Sequence, residues 1–177
     1  MSEVIERRRG AISPALRDAS LPRALKQIYA NRGVDNLNDI SLPLNQLLAP
    51  SALKGAQEAA EMLADAIEFQ ASVVIVGDFD ADGATSCALA VSLLKQMGLE
   101  EVTYLVPNRF EYGYGLTPEI VGIAAQYQPD VLMTVDNGIA SIDGVMAASM
   151  LGMSVIVTDH HLPGAELPEA DIIVNPN

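Results

Sequence analysis

From residue 71 onwards, short aliphatic runs alternate with segments of helical pattern. Five runs rich in β-branched side chains are typical of strands buried on both faces: SVVIV at 72–76, VTYLV at 102–106, DVLMTV at 130–135, SVIVT at 154–158 and DIIV at 171–174. Helical segments separate the first four runs, at Ala84 to Met97, Pro118 to Tyr127 and Ser141 to Leu151. This alternation predicts an α/β fold, with a parallel five-stranded sheet and helices on both of its faces.

Residues 1–70 carry helical patterns and no strand pattern. One apolar stripe, with Leu21, Leu25 and Ile28, stops at Gly33, and a second begins near Leu53. A proline-containing connector separates the two stripes. We therefore expect a small helical N-terminal segment over 1–70 that packs on a domain over 71–177.

The charge of the chain is unevenly distributed. Its 177 residues carry a formal net charge of -13, yet residues 1–50 hold seven basic against five acidic side chains. The remaining 127 residues hold only three basic against 18 acidic side chains. Such an acidic body argues against a partner made of nucleic acid, unless bound cations reverse the local field.

The cysteine count and the first residues indicate a cytoplasmic protein. The single cysteine, Cys87, excludes an internal disulfide framework, and its small apolar neighbours predict a packed thiol. The first residues lack the apolar stretch of a secretory signal, and no run of 18 apolar residues is present to span a bilayer. The basic run Arg7 to Arg9 is typical of a solvated face or a flexible arm.

Metal-binding residue types follow three of the predicted strands. They are Asp78, Asp80 and Asp82 after the first strand, Asp136 after the third, and Asp159, His160 and His161 after the fourth. Because the carboxyl ends of parallel strands meet at one edge of a sheet, these side chains are expected to lie together. Helix caps explain single aspartates, but they do not explain why both histidines of the chain and five aspartates share one edge.

Other acidic sites fit the sequence less well. The stretch GDFDADG matches the start of a calcium-binding EF-hand loop, but Leu89 stands where the bidentate glutamate is needed. A receiver domain also gathers acidic residues at strand ends, but Lys26, Lys54 and Lys95 are poorly placed to serve its phosphorylation site. A dinucleotide site is disfavoured because no G-x-G-x-x-G follows the first strand.

Carboxylates combined with imidazole favour Mn²⁺ or Mg²⁺, with Zn²⁺ a lesser option. The number of candidate ligands indicates two ions, and Asp136, alone at the end of its strand, is the candidate bridge between them. Two ions about 3.5–4 Å apart can activate water and stabilise both oxygens of a phosphoryl hydrolysis. The positive charge of the ions would also neutralise part of the negative charge of the domain.

Four ordered motifs closely resemble the DHH phosphoesterase superfamily: VVIVGDFDADGATS, YLVPNRFEYGYGL, TVDNGIAS and VIVTDHHLPG. Within it, the resemblance is to bacterial exonucleases that degrade single-stranded DNA from the 5′ end during repair and recombination. This implies a manganese-dependent or magnesium-dependent 5′ to 3′ exonuclease with single-stranded DNA as its partner. It also implies contacts with repair proteins such as helicases or single-strand-binding protein.

The resemblance assigns a role to each matching residue. Asp78 and Asp80 would hold one ion, Asp82 and His160 the other, and Asp136 would bridge both. Asp159 would orient the site or bind metal itself, and His161 would face the scissile phosphate.

The remaining roles that the resemblance implies fall on residues of the loop after the second strand. Asn108 and Arg109 would contact phosphate, although a structural turn is an equally good reading of this loop. Tyr112 and Tyr114 are candidates to stack on a base. Gly138 is expected to serve a turn.

Two alternatives stay open at this point. One is another DHH activity, the hydrolysis of small oligonucleotides, cyclic dinucleotides or pyrophosphate. The other is a metal-binding fragment without turnover, because the similar exonucleases continue past the position of Asn177 to a further metal-binding motif. The resemblance therefore implies that this chain is the N-terminal catalytic part of a larger nuclease.

Overall fold

A computed structural model describes residues 8–177, so the predicted role of Arg7 in a basic arm lies outside the described residues. The chain divides into two compact units, with the boundary between Leu48 and Ala49. The first unit contains helix α1 (Pro14–Asp18), helix α2 (Arg23–Asn31) and two short 3-10 turns, Leu37–Ile40 and Leu44–Gln46. Within residues 8–177, no helix combines the length and the apolarity needed to cross a bilayer.

Side-chain hydrogen bonds tie the first unit together. The amide of Gly10 donates to Asn31 Oδ1 over 2.7 Å, and Gln27 Nε2 donates to the carbonyl of Gly10 over 2.9 Å. Ser13 caps α1 by accepting from the amide of Leu16. Polar side chains therefore hold the segment before α1 against α2.

The second unit contains the predicted parallel sheet. Its strands are β1 (Val73–Gly77), β2 (Val102–Leu105), β3 (Val131–Val135), β4 (Ser154–Thr158) and β5 (Ile172–Val174). They pair in the order β2-β1-β3-β4-β5, and every pairing is parallel, which confirms the predicted fold. Gly77 pairs with Val135, and Val135 with Thr158, so β1, β3 and β4 end side by side.

Helices cover both faces of the sheet. Helices α3 (Ala56–Glu68) and α4 (Ala81–Gln96) pack on one face, with Val73, Ile75 and Ile156 in the buried cluster beneath them. Helices α6 (Pro118–Ala124) and α7 (Ile142–Met150) pack on the other face, over the alternate strand residues. Helix α5 (Arg109–Tyr112) is a single turn after β2. The sheet is thus buried on both sides, as its continuous aliphatic strands require.

Two helix starts test the sequence patterns. Helix α6 begins at Pro118 with the Thr117 side chain as its cap, which confirms that prediction. The predicted start of α4 at Ala84 is wrong by three residues, because Asp80 caps the helix and α4 begins at Ala81. The first turn of α4 therefore includes Asp82, inside the aspartate motif.

Helix α3 lies in the same unit as the sheet. The sequence placed a boundary at 70/71, whereas the division of the structure falls before Ala49. Ala59 and Ala66 on α3 are buried in one cluster with Val73 of β1, so the helix forms part of the core.

The predicted packing of Cys87 is confirmed. Its side chain is buried on α4, and burial raises the pKa of the thiol. A side chain at Gly77 would collide with the Cys87 sulfur. The glycine at the end of β1 therefore lets α4 approach the strand closely.

An apolar groove of about 870 Å³ runs between α3 and α4. Its α4 wall carries the exposed side chains of Leu89 and Leu93, followed by Met97 just after the helix, and Met133 lies among the sheet residues lining it. The groove reaches the carboxyl edge of the sheet, where Asp136 also lines it.

Two helical glycines give a matched stability test. A Cβ on Gly144 of α7 would overlap the carbonyl of Leu116, whereas a Cβ on Gly122 of α6 would meet open space. We expect Gly144→Ala to lower the free energy of unfolding by about 1–3 kcal/mol through overpacking. Gly122→Ala should raise it by up to about 1 kcal/mol through helix propensity. Urea unfolding followed by circular dichroism measures both, and equal midpoints would contradict this packing of α7.

Candidate metal centre

The first acidic motif lies where β1 passes into α4. A Cβ on Gly83 would overlap the backbone of Asp78, so glycine is needed for this tight approach. Asp80 accepts weakly from the amide of Gly83 over 3.4 Å, and Asp82 lies in the first turn of α4. The positive end of the helix dipole favours carboxylates at both places. Asp80 and Asp82 are exposed, while Asp78 is buried.

The second acidic position is Asp136, directly after β3. Its backbone has φ 63°, a left-handed conformation that is uncommon for residues other than glycine. The next residue, Asn137, is buried and donates to the carbonyls of Val76 and Val135, both over 3.0 Å, which links the ends of β1 and β3. Gly138 has φ 110°, which confirms its predicted role in the turn.

The third acidic position, Asp159 after β4, is fully hydrogen-bonded. Its carboxylate accepts from the amides of Ile139, His160 and His161 over 2.9, 2.7 and 3.0 Å. Burial raises its pKa, but these backbone hydrogen bonds and the His161 ring outweigh burial and lower the pKa below its ordinary value. Asp159 therefore anchors the loop after β3 to the histidine pair.

His161 is oriented by Asp159. Its Nδ1 lies 2.7 Å from Asp159 Oδ1, and this hydrogen bond raises the pKa of the imidazole. The Tyr114 hydroxyl lies 3.3 Å from the same ring nitrogen, and the two rings meet edge to face. Burial and the nearby charge of Asp159 raise the pKa of Tyr114 to about 12, so its hydroxyl stays protonated.

Two groups of metal-type donor atoms converge at this edge. The first combines Asp78, Asp80 and Asp136, and the second combines Asp136, His160 and His161, with donor atoms within 4.8 Å of one another in each group. Asp82 lies close to the second group, with Oδ2 3.9 Å from His160 Nε2. Asp136 belongs to both groups, as a bridging carboxylate would.

The Asp136 carboxylate is buried without a hydrogen bond from any described residue. His160 Nε2 approaches its Oδ1 to 2.8 Å without hydrogen-bond alignment. Burial and the charge of Asp82 raise the pKa of Asp136, although His160 opposes this shift. Two ligand atoms that each lie about 2.1 Å from the same ion are about 3 Å apart. The 2.8 Å between His160 Nε2 and Asp136 Oδ1 therefore suits two ligands of one cation. The donor set therefore fits a hard divalent metal.

Arg109 lies against the first donor group. Its Nη2 forms an ion pair with Asp78 Oδ1 over 2.8 Å and lies 4.0 Å from Asp80 Oδ2. Its Nε is buried and has no hydrogen-bond partner among the described residues. Arg109, Tyr114 and His161 line one cleft of about 380 Å³ beside the carboxylates. The cleft therefore combines a cationic side chain with the candidate metal ligands.

Two residues of the same loop have structural contacts that the sequence did not indicate. The side chain of Asn108 accepts from the amide of Phe110 and caps α5, so its contact with phosphate stays a prediction. Tyr112 packs against the buried core, whereas Tyr114 lines the cleft. Sequence reasoning also missed Phe79 and Phe110, two exposed rings beside Arg109.

Comparison with known proteins decides the family. The sequence model described as "DHH family, N-terminal domain" matches residues 72–177, which is more than half of the chain. The chain belongs to the DHH family. The family match begins just before β1 and contains all three acidic positions of the candidate metal centre.

Curated DHH-family relatives are named single-stranded-DNA-specific exonuclease RecJ. The protein of Dickeya dadantii is 51% identical over 97% of this chain, and that of Escherichia coli K12 is 47% identical over the same share. The chain spans about 30% of the length of these relatives.

Solved structures agree with this family. The crystal structure of exonuclease RecJ bound to manganese is 38% identical, with a TM-score of 0.67, covering 73% of this chain and 33% of that one. RecJ of Thermus thermophilus in complex with Mn²⁺ is 30% identical, with a TM-score of 0.65, covering 95% of this chain and 24% of that one.

Two conservative substitutions separate structural from functional carboxylates. In EDTA, Asp136→Asn should raise the free energy of unfolding by about 1 kcal/mol, because it removes a buried charge that no aligned hydrogen bond compensates, and asparagine tolerates the left-handed backbone. Asp159→Asn should lower it by about 2 kcal/mol, because an amide group would face backbone donors that need an acceptor. Urea unfolding at pH 8 measures both. Destabilisation by Asp136→Asn would contradict the strained state of that carboxylate.

Proposed function

We propose that this chain carries the metal-dependent centre of an exonuclease that hydrolyses single-stranded DNA from its 5′ end. The observation that carries the proposal is the Asp136 carboxylate, which is buried without an aligned hydrogen bond and belongs to two groups of donor atoms. Relatives named as single-stranded-DNA-specific exonucleases supply the substrate class. Cytoplasmic action in repair and recombination, beside helicases or single-strand-binding protein, is part of the same proposal.

The carboxylates and His160 would hold two Mn²⁺ or Mg²⁺ ions. Asp78 and Asp80 form one donor group with Asp136, and Asp82 lies beside His160 in the other. Bound ions would activate water for attack on phosphorus and neutralise the charge that develops on the phosphate oxygens. They would also offset the acidity of the site, which otherwise repels DNA.

The remaining side chains would bind and orient the phosphate. Asp159 fixes the His161 ring through Nδ1, and Nε2, which lies 3.4 Å from the Tyr114 hydroxyl, would donate to a phosphate oxygen. Arg109 lines the same cleft with a partly exposed side chain, and its guanidinium would donate to a phosphate oxygen.

Metal stoichiometry tests the centre directly. Titration calorimetry should find two Mn²⁺ ions on the chain, and Asp136→Ala should lose both because each donor group includes this residue. Asp65→Ala is the matched control, since Asp65 is an exposed carboxylate on α3 outside the donor groups. Unchanged Mn²⁺ binding in Asp136→Ala would contradict the bridging role.

A chimera tests the reaction. This chain would replace the matching 30% of the Dickeya dadantii RecJ, to which it is 51% identical. We expect Mn²⁺-dependent release of mononucleotides from single-stranded DNA in preference to duplex DNA, dinucleotides or pyrophosphate. Asp136→Ala in the chimera should lower the rate at least about 100-fold, since the ions activate the water. A folded chimera that binds Mn²⁺ but prefers dinucleotides or pyrophosphate would overturn the proposed substrate.

A further inference from the structure

Two phenylalanine side chains stand exposed beside the candidate metal centre. Phe79 is 50% exposed and Phe110 is 87% exposed, and their rings meet edge to face with centroids 6.3 Å apart. Phe79 lies between Asp78 and Asp80 in the aspartate motif, and Phe110 follows Arg109 on α5. The ring pair therefore belongs to the edge of the sheet that carries the chemistry.

Packing does not explain this pair. Neither buried core cluster of residues 8–177 includes Phe79 or Phe110. Phe110 is held in place by its backbone, because α5 is capped by Asn108 and ends at Gly113, where φ is 79°. An exposed aromatic surface on a fixed turn, beside polar site residues, is typical of a binding surface.

The charges around the rings indicate the ligand. The guanidinium carbon of Arg109 lies 5.7 Å from the Phe79 ring centroid, and Arg109 is one of only three basic residues after residue 50, with Lys54 and Lys95. A ligand on the rings would therefore place its anionic part beside Arg109 and the candidate metal ligands. A planar, apolar face joined to a phosphate is the chemistry of a nucleotide.

We propose that the Phe110 ring, supported edge to face by Phe79, forms a stacking platform for an unpaired nucleobase, with the attached phosphate directed to Arg109; this rests on the proposed function. Stacking tolerates any base, because every base has a π face. A base inside a duplex is stacked between its neighbours and cannot lie on the platform. The platform thus supplies a physical reason for a preference for single strands.

The chain has no tryptophan, so one substitution creates a unique fluorescent reporter. Phe110→Trp places an indole on the platform. Phe69→Trp is the matched control, because Phe69 is 76% exposed but lies after α3, before the amino end of β1 and away from the site. Each variant would be titrated, with Mn²⁺ present, with a phosphorothioate decathymidylate that resists hydrolysis and with an abasic strand of equal length.

We expect saturable quenching of Phe110→Trp by the decathymidylate, little quenching by the abasic strand, and none for Phe69→Trp. Adding Phe79→Ala to Phe110→Trp should weaken the apparent affinity by up to about tenfold, because the stacking ring loses the side chain that supports it edge to face.

Two results would overturn the platform. One is the absence of saturable quenching at decathymidylate concentrations up to millimolar, whether or not the chain binds Mn²⁺. The other is equal quenching by the abasic strand, which would indicate contacts to the backbone alone. By contrast, absence of Mn²⁺ binding to the unsubstituted chain, with quenching intact, would count against the proposed function and leave the platform standing.

Discussion

Carboxylates that repel one another are held at one edge of the sheet by the order of the strands. In the order β2-β1-β3-β4-β5, the ends of β1 and β3 lie side by side although Gly77 and Val135 are 58 residues apart along the chain, and β4 ends beside β3. Asp78, Asp136 and Asp159 follow these three strand ends. The buried aliphatic faces of β1, β3 and β4 stabilise this arrangement. The free energy of the core therefore opposes the electrostatic cost of the site.

The carboxylates differ in how far neighbouring groups compensate their negative charge. Asp159 is matched by three backbone amides and an imidazole, and it serves the structure of the loop. Asp136 has a strained backbone and a buried carboxylate without an aligned hydrogen bond, so it destabilises the fold. A residue retained at such a cost is typical of a functional site.

Much of the site could be predicted because parallel strands end together. That rule alone brought Asp78, Asp136 and His160 to one edge, as the donor groups of the structure show. The start of α4 was missed because acidic and glycine residues resemble a loop in sequence, yet Asp80 caps the helix. Tyr112 and Tyr114 are two residues apart, and only the packing of α5 separates the core residue from the cleft residue. Phe79 could not be assigned from sequence, because only its exposure in the fold distinguishes it from a core phenylalanine.

The central claim is that one carboxylate, Asp136, joins two metal sites. Anomalous diffraction from crystals of the chain grown with Mn²⁺ tests this directly. The account predicts two manganese peaks about 3.5–4 Å apart, each bonded to an oxygen of Asp136. A single peak, or a second ion that does not contact Asp136, would contradict it.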